Sequence, residues 1–254
     1  MQERRYLLNI GQMLEGSGRD NLFREAFDRI DRERRQKTRS FKNARAQAAG
    51  IGAGLLIQKA LADYRSEWPA EKPVLECFSV EELLSVLDPK VEEPRYRYGK
   101  NGKPYLADHA FLFNLSHSGD YVFCGVSKQE IGVDIQKIQG ECRMRLAKRF
   151  FAVPECQALE ACGDEGQRRR MFFRMWVRKE AYGKLTGRGI AGAVGKCLWR
   201  DVSAGGEPSA CSTGEGLWWE NKLIWEEYDA PDGYQMAVCR FRQETYAKQD
   251  SENA

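Results

Sequence analysis

The clearest periodicity along the chain lies in Phe172 to Ile190, FFRMWVRKEAYGKLTGRGI. No proline interrupts it, and Gly187 and Gly189 follow its last periodic residue, so the pattern predicts a helix ending near Thr186. At helical spacing Glu180 follows Trp176 and Val177 by about one turn and Phe173 by about two, and precedes Lys184 by one turn, while Lys179 falls among Phe172, Met175, Trp176 and Tyr182. Charges among apolar and aromatic neighbours are costly unless paired. Two readings follow. One is a surface ion pair such as Glu180 with Lys184; the other is a carboxylate held in a site beside cations.

The rest of the pattern mixes helices and strands. Tyr6 to Ile10 is a short apolar run expected as an edge strand, and residues 21–42 read as one or more charged helices with apolar positions Leu22, Phe23, Phe27 and Ile30. Residues 43–64 are alanine- and glycine-rich and predict a buried helix that a neighbouring element approaches closely. A turn is expected at 68–73, then an apolar run at 74–78, a short helix at 80–87 and an acidic, proline-bearing linker at 88–94. Residues 98–105 hold a glycine turn presenting Lys100 and Lys103. Ala110 to Leu115, ending in Ser116-His117-Ser118-Gly119, and Tyr121 to Ser127 predict a hairpin. Ile131 to Gln136 alternates: Ile131, Val133 and Ile135 face one side, Gly132, Asp134 and Gln136 the other. Two helical pieces are expected in 141–162, the second starting at Pro154 with Glu155 in its first turn. A weakly ordered glycine- and serine-rich loop separates strand-like segments within 198–225, Tyr234 to Phe241 is the last strand, and the tail from 247 is polar.

Composition narrows the class. The chain has 254 residues, 42% hydrophobic and 30% charged, which suits a soluble globular protein with one large or two smaller cores. No apolar run approaches a membrane span and the N-terminal stretch lacks a signal-peptide pattern, so a cytoplasmic protein without membrane association is expected. A net charge of +3 is too small to imply nucleic acid. Basic stretches at Arg29 to Lys42 and Arg168 to Arg170 are either solvated faces or a surface for a polyphosphate. The 8 cysteines form no CxxC pair and several sit in apolar runs, as reduced, packed thiols do. With only His109 and His117 available, a histidine-based metal site is excluded and an oxygen-ligated ion remains.

Six segments in order resemble the phosphopantetheinyl transferases of the larger, surfactin-synthetase-activating class: Gly102-Lys103-Pro104; Phe113-Asn114-Leu115-Ser116-His117-Ser118; Ile131-Gly132-Val133-Asp134-Ile135; Arg149-Phe150-Phe151 through Glu155; Trp176 with Lys179-Glu180-Ala181; and Gly233-Tyr234-Gln235-Met236-Ala237-Val238. Each is common alone; their order and spacing carry the resemblance, which covers residues 20–242 and points to the tryptophan/KEA subgroup. It implies an α+β pseudodimer of two similar halves, 1–129 and 130–247, followed by a tail at 248–254, with coenzyme A in the cleft between the halves. It also implies a monomeric enzyme that moves the 4′-phosphopantetheine of coenzyme A to a serine of an apo acyl or peptidyl carrier protein.

The resemblance assigns roles residue by residue. Asp134 and Glu180 would hold Mg²⁺, or Mn²⁺ in its place, with Gln136 standing where many members carry a third acid. Glu180 would also accept the serine proton and Lys184 would neutralise the leaving phosphate. Ser116 and His117 would lie at the 3′-phosphate of coenzyme A, Lys103 beside the nucleotide, Lys179 at phosphate, Arg45 reaching in from the N-terminal half, and Glu155 near the metal. For His117 a structural role and a Ser–His catalytic pair are the alternatives. For the whole chain the rival is a relative that binds coenzyme A or a nucleotide without transferring it.

Overall fold

Hydrogen-bonding side chains mark where the helices begin. Asp31 accepts from the Arg34 amide, Ser79 and Glu82 form a reciprocal capping box, and Asp164 accepts from the Gln167 amide. These caps satisfy amides that the first turn leaves without a partner. The computed structural model describes residues 3–15, 19–65, 74–88, 93–99, 102–198, 223–226 and 228–242. In chain order these form β1 (Glu3–Asn9), α1 (Arg19–Arg29), α2 (Arg32–Arg39), α3 (Ala44–Arg65), β2 (Val74–Ser79), α4 (Val80–Val86), β3 (Tyr96–Tyr98), β4 (Pro104–Leu106), β5 (Leu112–Ser118), β6 (Tyr121–Ser127) and β7 (Ile131–Lys137). There follow α5 (Met144–Phe150), α6 (Val153–Glu160), α7 (Glu165–Thr186), β8 (Leu223–Glu226) and β9 (Tyr234–Phe241). The turn expected at 68–73, Lys100, most of the linker, the glycine- and serine-rich loop and the polar tail lie outside the described residues.

The protein is a mixed α and β fold. A four-stranded sheet has the order β2-β1-β6-β5, and a three-stranded sheet has the order β7-β9-β8. β1 pairs in parallel with β2 and antiparallel with β6. It is therefore an inner strand, and the expectation of an edge strand is corrected: the second partner, β2, is supplied from far along the sequence. The charged stretch at 21–42 divides into α1 and α2 at Asp31. Helix α3 packs on the first sheet, where a Cβ on Gly52 would stand 3.0 Å from both Ile10 and Val122.

The sheets share a core in which Leu7 and Phe123 meet Ile131, Val133, Ile135, Tyr234, Met236 and Val238. Helix α7 covers the opposite face of β7. A Cβ on Gly132 would come within 1.9 Å of the Ala181 carbonyl oxygen, so only glycine admits the helix this close. The helix starts at Asp164, a turn or more before the apolar periodicity that first marks it, and ends at Gly187 with φ 67°. A positive φ suits glycine as a helix stop.

Candidate active site

Strand β7 and helix α7 bring the charged residues together. Asp134, 1% exposed on β7, accepts from Lys184 Nζ at 2.7 Å and Ser116 Oγ at 2.6 Å through Oδ1, and from Gln136 Nε2 at 3.1 Å through Oδ2. Lys184 Nζ also donates to the Val133 carbonyl at 3.0 Å. Glu180, one turn before Lys184, is half-buried. Desolvation, then the charge of Asp134, raises its carboxyl above the ordinary range, while Lys184 opposes the shift. Lys184 is thus bonded to Asp134, and the simple surface pair with Glu180 is not the arrangement found.

Beside this cluster opens a cleft of about 290 Å³, lined by Lys103, Pro104, Phe113, Asn114, Lys184 and the glycines around the end of α7. Lys103 pairs with Glu130 and sits 5.5 Å from the Tyr105 ring centre. His117, on β5, is exposed at the strand face. Its crowded imidazole is lowered in pKa by desolvation and by Lys184, partly offset by Asp134.

The aromatic segments act as the support of α7. Trp176 stacks on Phe172 at 5.7 Å and meets Phe150 edge-on at 5.9 Å, while Phe151 stacks on Phe172 at 5.4 Å. These contacts fix the end of α5 against α7, the helix that carries Glu180 and Lys184.

A scan against family models matches residues 130–239 to the 4′-phosphopantetheinyl transferase superfamily. Among curated relatives, the chain is 36% identical over 143 residues to the 4′-phosphopantetheinyl transferase AcpT of Escherichia coli, covering 55% of this chain and 67% of that one. The chain belongs to this family. It is also 42% identical over 103 residues to the 4′-phosphopantetheinyl transferase HetI of Nostoc sp., covering 38% of this chain and 43% of that one. To the 4′-phosphopantetheinyl transferase psf-1 of Bacillus pumilus it is 36% identical over 140 residues, covering 55% and 57%. The chain spans about half the length of these last two relatives.

Three residues expected at coenzyme A or the metal are buried and bonded to protein groups in this family member. Lys179 and Glu155 form a salt bridge of 2.7 Å with both side chains 0% exposed. Lys179 also donates to the carbonyls of Ala193 and Lys196, and Glu155 accepts from the amides of Ala152 and Leu198. Burial lowers the Lys179 pKa against the pull of Glu155. Protein groups thus take up the donors of Lys179 and the carboxylate of Glu155. Ser116, 5% exposed, is engaged with Asp134 and the Ile135 amide. Arg45 is exposed and pairs with Asp120, whose other carboxylate oxygen lies 3.3 Å from Lys137. It is not among the residues lining the cleft.

Sequence reasoning missed Glu130 and the Ser116 hydroxyl as partners. Neither had a local signal, since Lys103 and Glu130 meet across 27 positions and Ser116 and Asp134 across 18. Among the described residues no group of three His, Cys, Asp or Glu is placed to hold a metal. Asp134, Glu180 and the amide oxygen of Gln136 are nevertheless hard donors. Mg²⁺ commonly takes one or two carboxylates and completes its shell with phosphates and water, so this donor set fits it.

Proposed function

We propose that this chain transfers the 4′-phosphopantetheine group of coenzyme A to a serine of an apo acyl or peptidyl carrier protein, releasing 3′,5′-ADP. The observation that carries the proposal is the convergence of Asp134, Glu180 and Lys184 beside a cleft that Lys103 also lines. Two lysines face a polyanion there, and two carboxylates supply hard oxygens. The active site is read as lying between the N-terminal half, which provides Lys103 and His117, and the C-terminal half, which provides Asp134, Glu180 and Lys184. The enzyme is read as a cytoplasmic monomer; no helix among the described residues is long and apolar enough to cross a membrane.

The bond that forms joins the carrier serine Oγ to the phosphorus bearing pantetheine. The bond that breaks is the pyrophosphate P–O bond to 3′,5′-ADP. Phosphoryl transfer of this kind depends mainly on positioning and on stabilising charge. Glu180, with its raised pKa, accepts the serine proton directly or through one water. Lys184 follows the charge that develops on the leaving phosphate, and His117 and Lys103 hold the nucleotide end. Mg²⁺ held by Asp134, Glu180 and Gln136 would neutralise pyrophosphate charge when bound.

The test is to incubate the protein with coenzyme A, Mg²⁺ and an apo carrier protein and to weigh the carrier. A phosphopantetheine-sized gain in mass, lost with EDTA and in Glu180→Ala, is the expected result. Binding of coenzyme A without any gain across several carriers would establish the rival, a binding protein without transfer, for which Gln136 is the only support. Failure to bind coenzyme A at all would overturn both.

A further inference from the structure

Strands β5 and β7 belong to different sheets, yet three alternate side chains of β5 reach across to the backbone of β7. Asn114 Oδ1 accepts from the Val133 amide at 3.0 Å, Ser116 Oγ from the Ile135 amide at 3.3 Å, and Ser118 Oγ from the Lys137 amide at 2.9 Å. Each pair is separated by 19 positions. The strands therefore run in the same direction in a fixed register, with side chains taking the place of a backbone ladder.

Only Ser116 also grips the reactive cluster. Its one hydroxyl hydrogen goes to Asp134 Oδ1 at 2.6 Å while its lone pair serves Ile135. The other donor to Oδ1, Lys184, has a long side chain that is 26% exposed. In the transfer proposed above, on which this step rests, Lys184 turns to the leaving phosphate. Ser116 is then the short, enclosed donor that stays with Asp134. We infer that Ser116 is a positioning residue for Asp134 and that the β5–β7 register sets where that carboxylate stands.

Ser116→Ala and Ser118→Ala make a matched pair in the full chain. Each loses one bond across the seam, but only the first loses a donor to Asp134. Mn²⁺ affinity measured by electron paramagnetic resonance should fall about tenfold in Ser116→Ala, the low end for a residue that orients a metal ligand, and stay unchanged in Ser118→Ala. The kcat of Ser116→Ala should fall with its coenzyme A KM unchanged, as should coenzyme A affinity in EDTA; thermal unfolding should shift alike in both variants. Weaker coenzyme A binding in EDTA by Ser116→Ala would overturn the inference and make the hydroxyl a ligand contact. Equal Mn²⁺ affinity in the two variants, or none in the wild type, would also overturn it. A wild type that binds Mn²⁺ but transfers nothing would instead defeat the proposed function, with the Mn²⁺ comparison still decisive here.

Discussion

Asp134 is surrounded by three donors, and the identity of one of them distinguishes this chain from the pattern it resembles. Gln136 donates its amide hydrogen to Asp134 Oδ2 at 3.1 Å; a glutamate there would instead add a negative charge beside Asp134 and Glu180. Gln136→Glu should therefore lower the Mg²⁺ concentration needed for half-maximal activity, and leave coenzyme A binding in EDTA unchanged. Superimposable Mg²⁺ titrations would defeat the idea. His117 offers a second test at this scale. Its pKa is lowered by desolvation and by Lys184, partly offset by Asp134, which favours the neutral imidazole in the free protein. A phosphate bound there favours the imidazolium and raises that pKa. Metal-free affinity for coenzyme A should then gain, relative to His117→Gln, as pH falls from the bound-state pKa through the free-state pKa. Subtracting the variant removes the opposing protonation of the phosphate itself; parallel pH profiles would show that His117 does not meet the phosphate. Asp134 on its alternating strand and the charged turn around Glu180 and Lys184 were legible in the sequence because period and residue type are local. The bonds from Ser116 and Gln136 were not, because they depend on which strands become neighbours.

Helix α7 carries two kinds of charge on different faces, and neighbouring residues Lys179 and Glu180 illustrate the division. Successive helical residues point about 100° apart, so one helix leaves Glu180 half-buried near Asp134 and Lys184 and buries Lys179 against α6. The sequence placed Lys179 among Phe172, Met175, Trp176 and Tyr182, which was the sign of burial. Its partner Glu155 lies on another helix, where the sequence offered only a favourable first-turn acid. Removing one member of such a buried pair strands the other. Lys179→Met should cost about 3–5 kcal/mol, measured by urea unfolding. Adding Glu155→Gln should recover much of that loss, because glutamine still accepts a hydrogen bond and carries no charge. Equal stability of the single and double variants would mean that the ion pair is not what Lys179 contributes. The helix end was readable from Gly187, whose positive φ follows from glycine chemistry. Its start at Asp164 lay outside the apolar period and depended on a cap alone.

Across the whole molecule, distant charges tie the beginning of the chain to its end. Buried Arg5 bonds Glu3 at 2.6 Å and Glu226 at 3.1 Å, and Arg240 reaches Glu226 at 3.1 Å. None of this was legible, since Arg5 and Glu226 lie 221 positions apart. Under the proposed function, the same scale decides where a carrier protein would dock. In the basic stretch at Arg168 to Arg170, Arg168 is bonded to the Leu159 and Cys162 carbonyls and to Glu165, and Arg169 to the Gly140 carbonyl. These arginines hold α7 to its neighbours. Arg143, Arg145, Lys148 and Arg149 on and beside α5 are exposed instead, and residues 138–143 connect that helix to the strand carrying Asp134. An acidic carrier approaching the reaction centre would meet this face, and exposed charges of this kind act on encounter and on salt dependence. Arg145→Glu with Arg149→Glu should raise the carrier KM several-fold at low salt and flatten its rise with added salt, while the KM for coenzyme A stays constant. A wild-type carrier KM that is indifferent to salt would remove α5 from the docking surface. A parallel loss in coenzyme A KM would mean that the substituted helix had disturbed the cleft through Phe150 and Trp176.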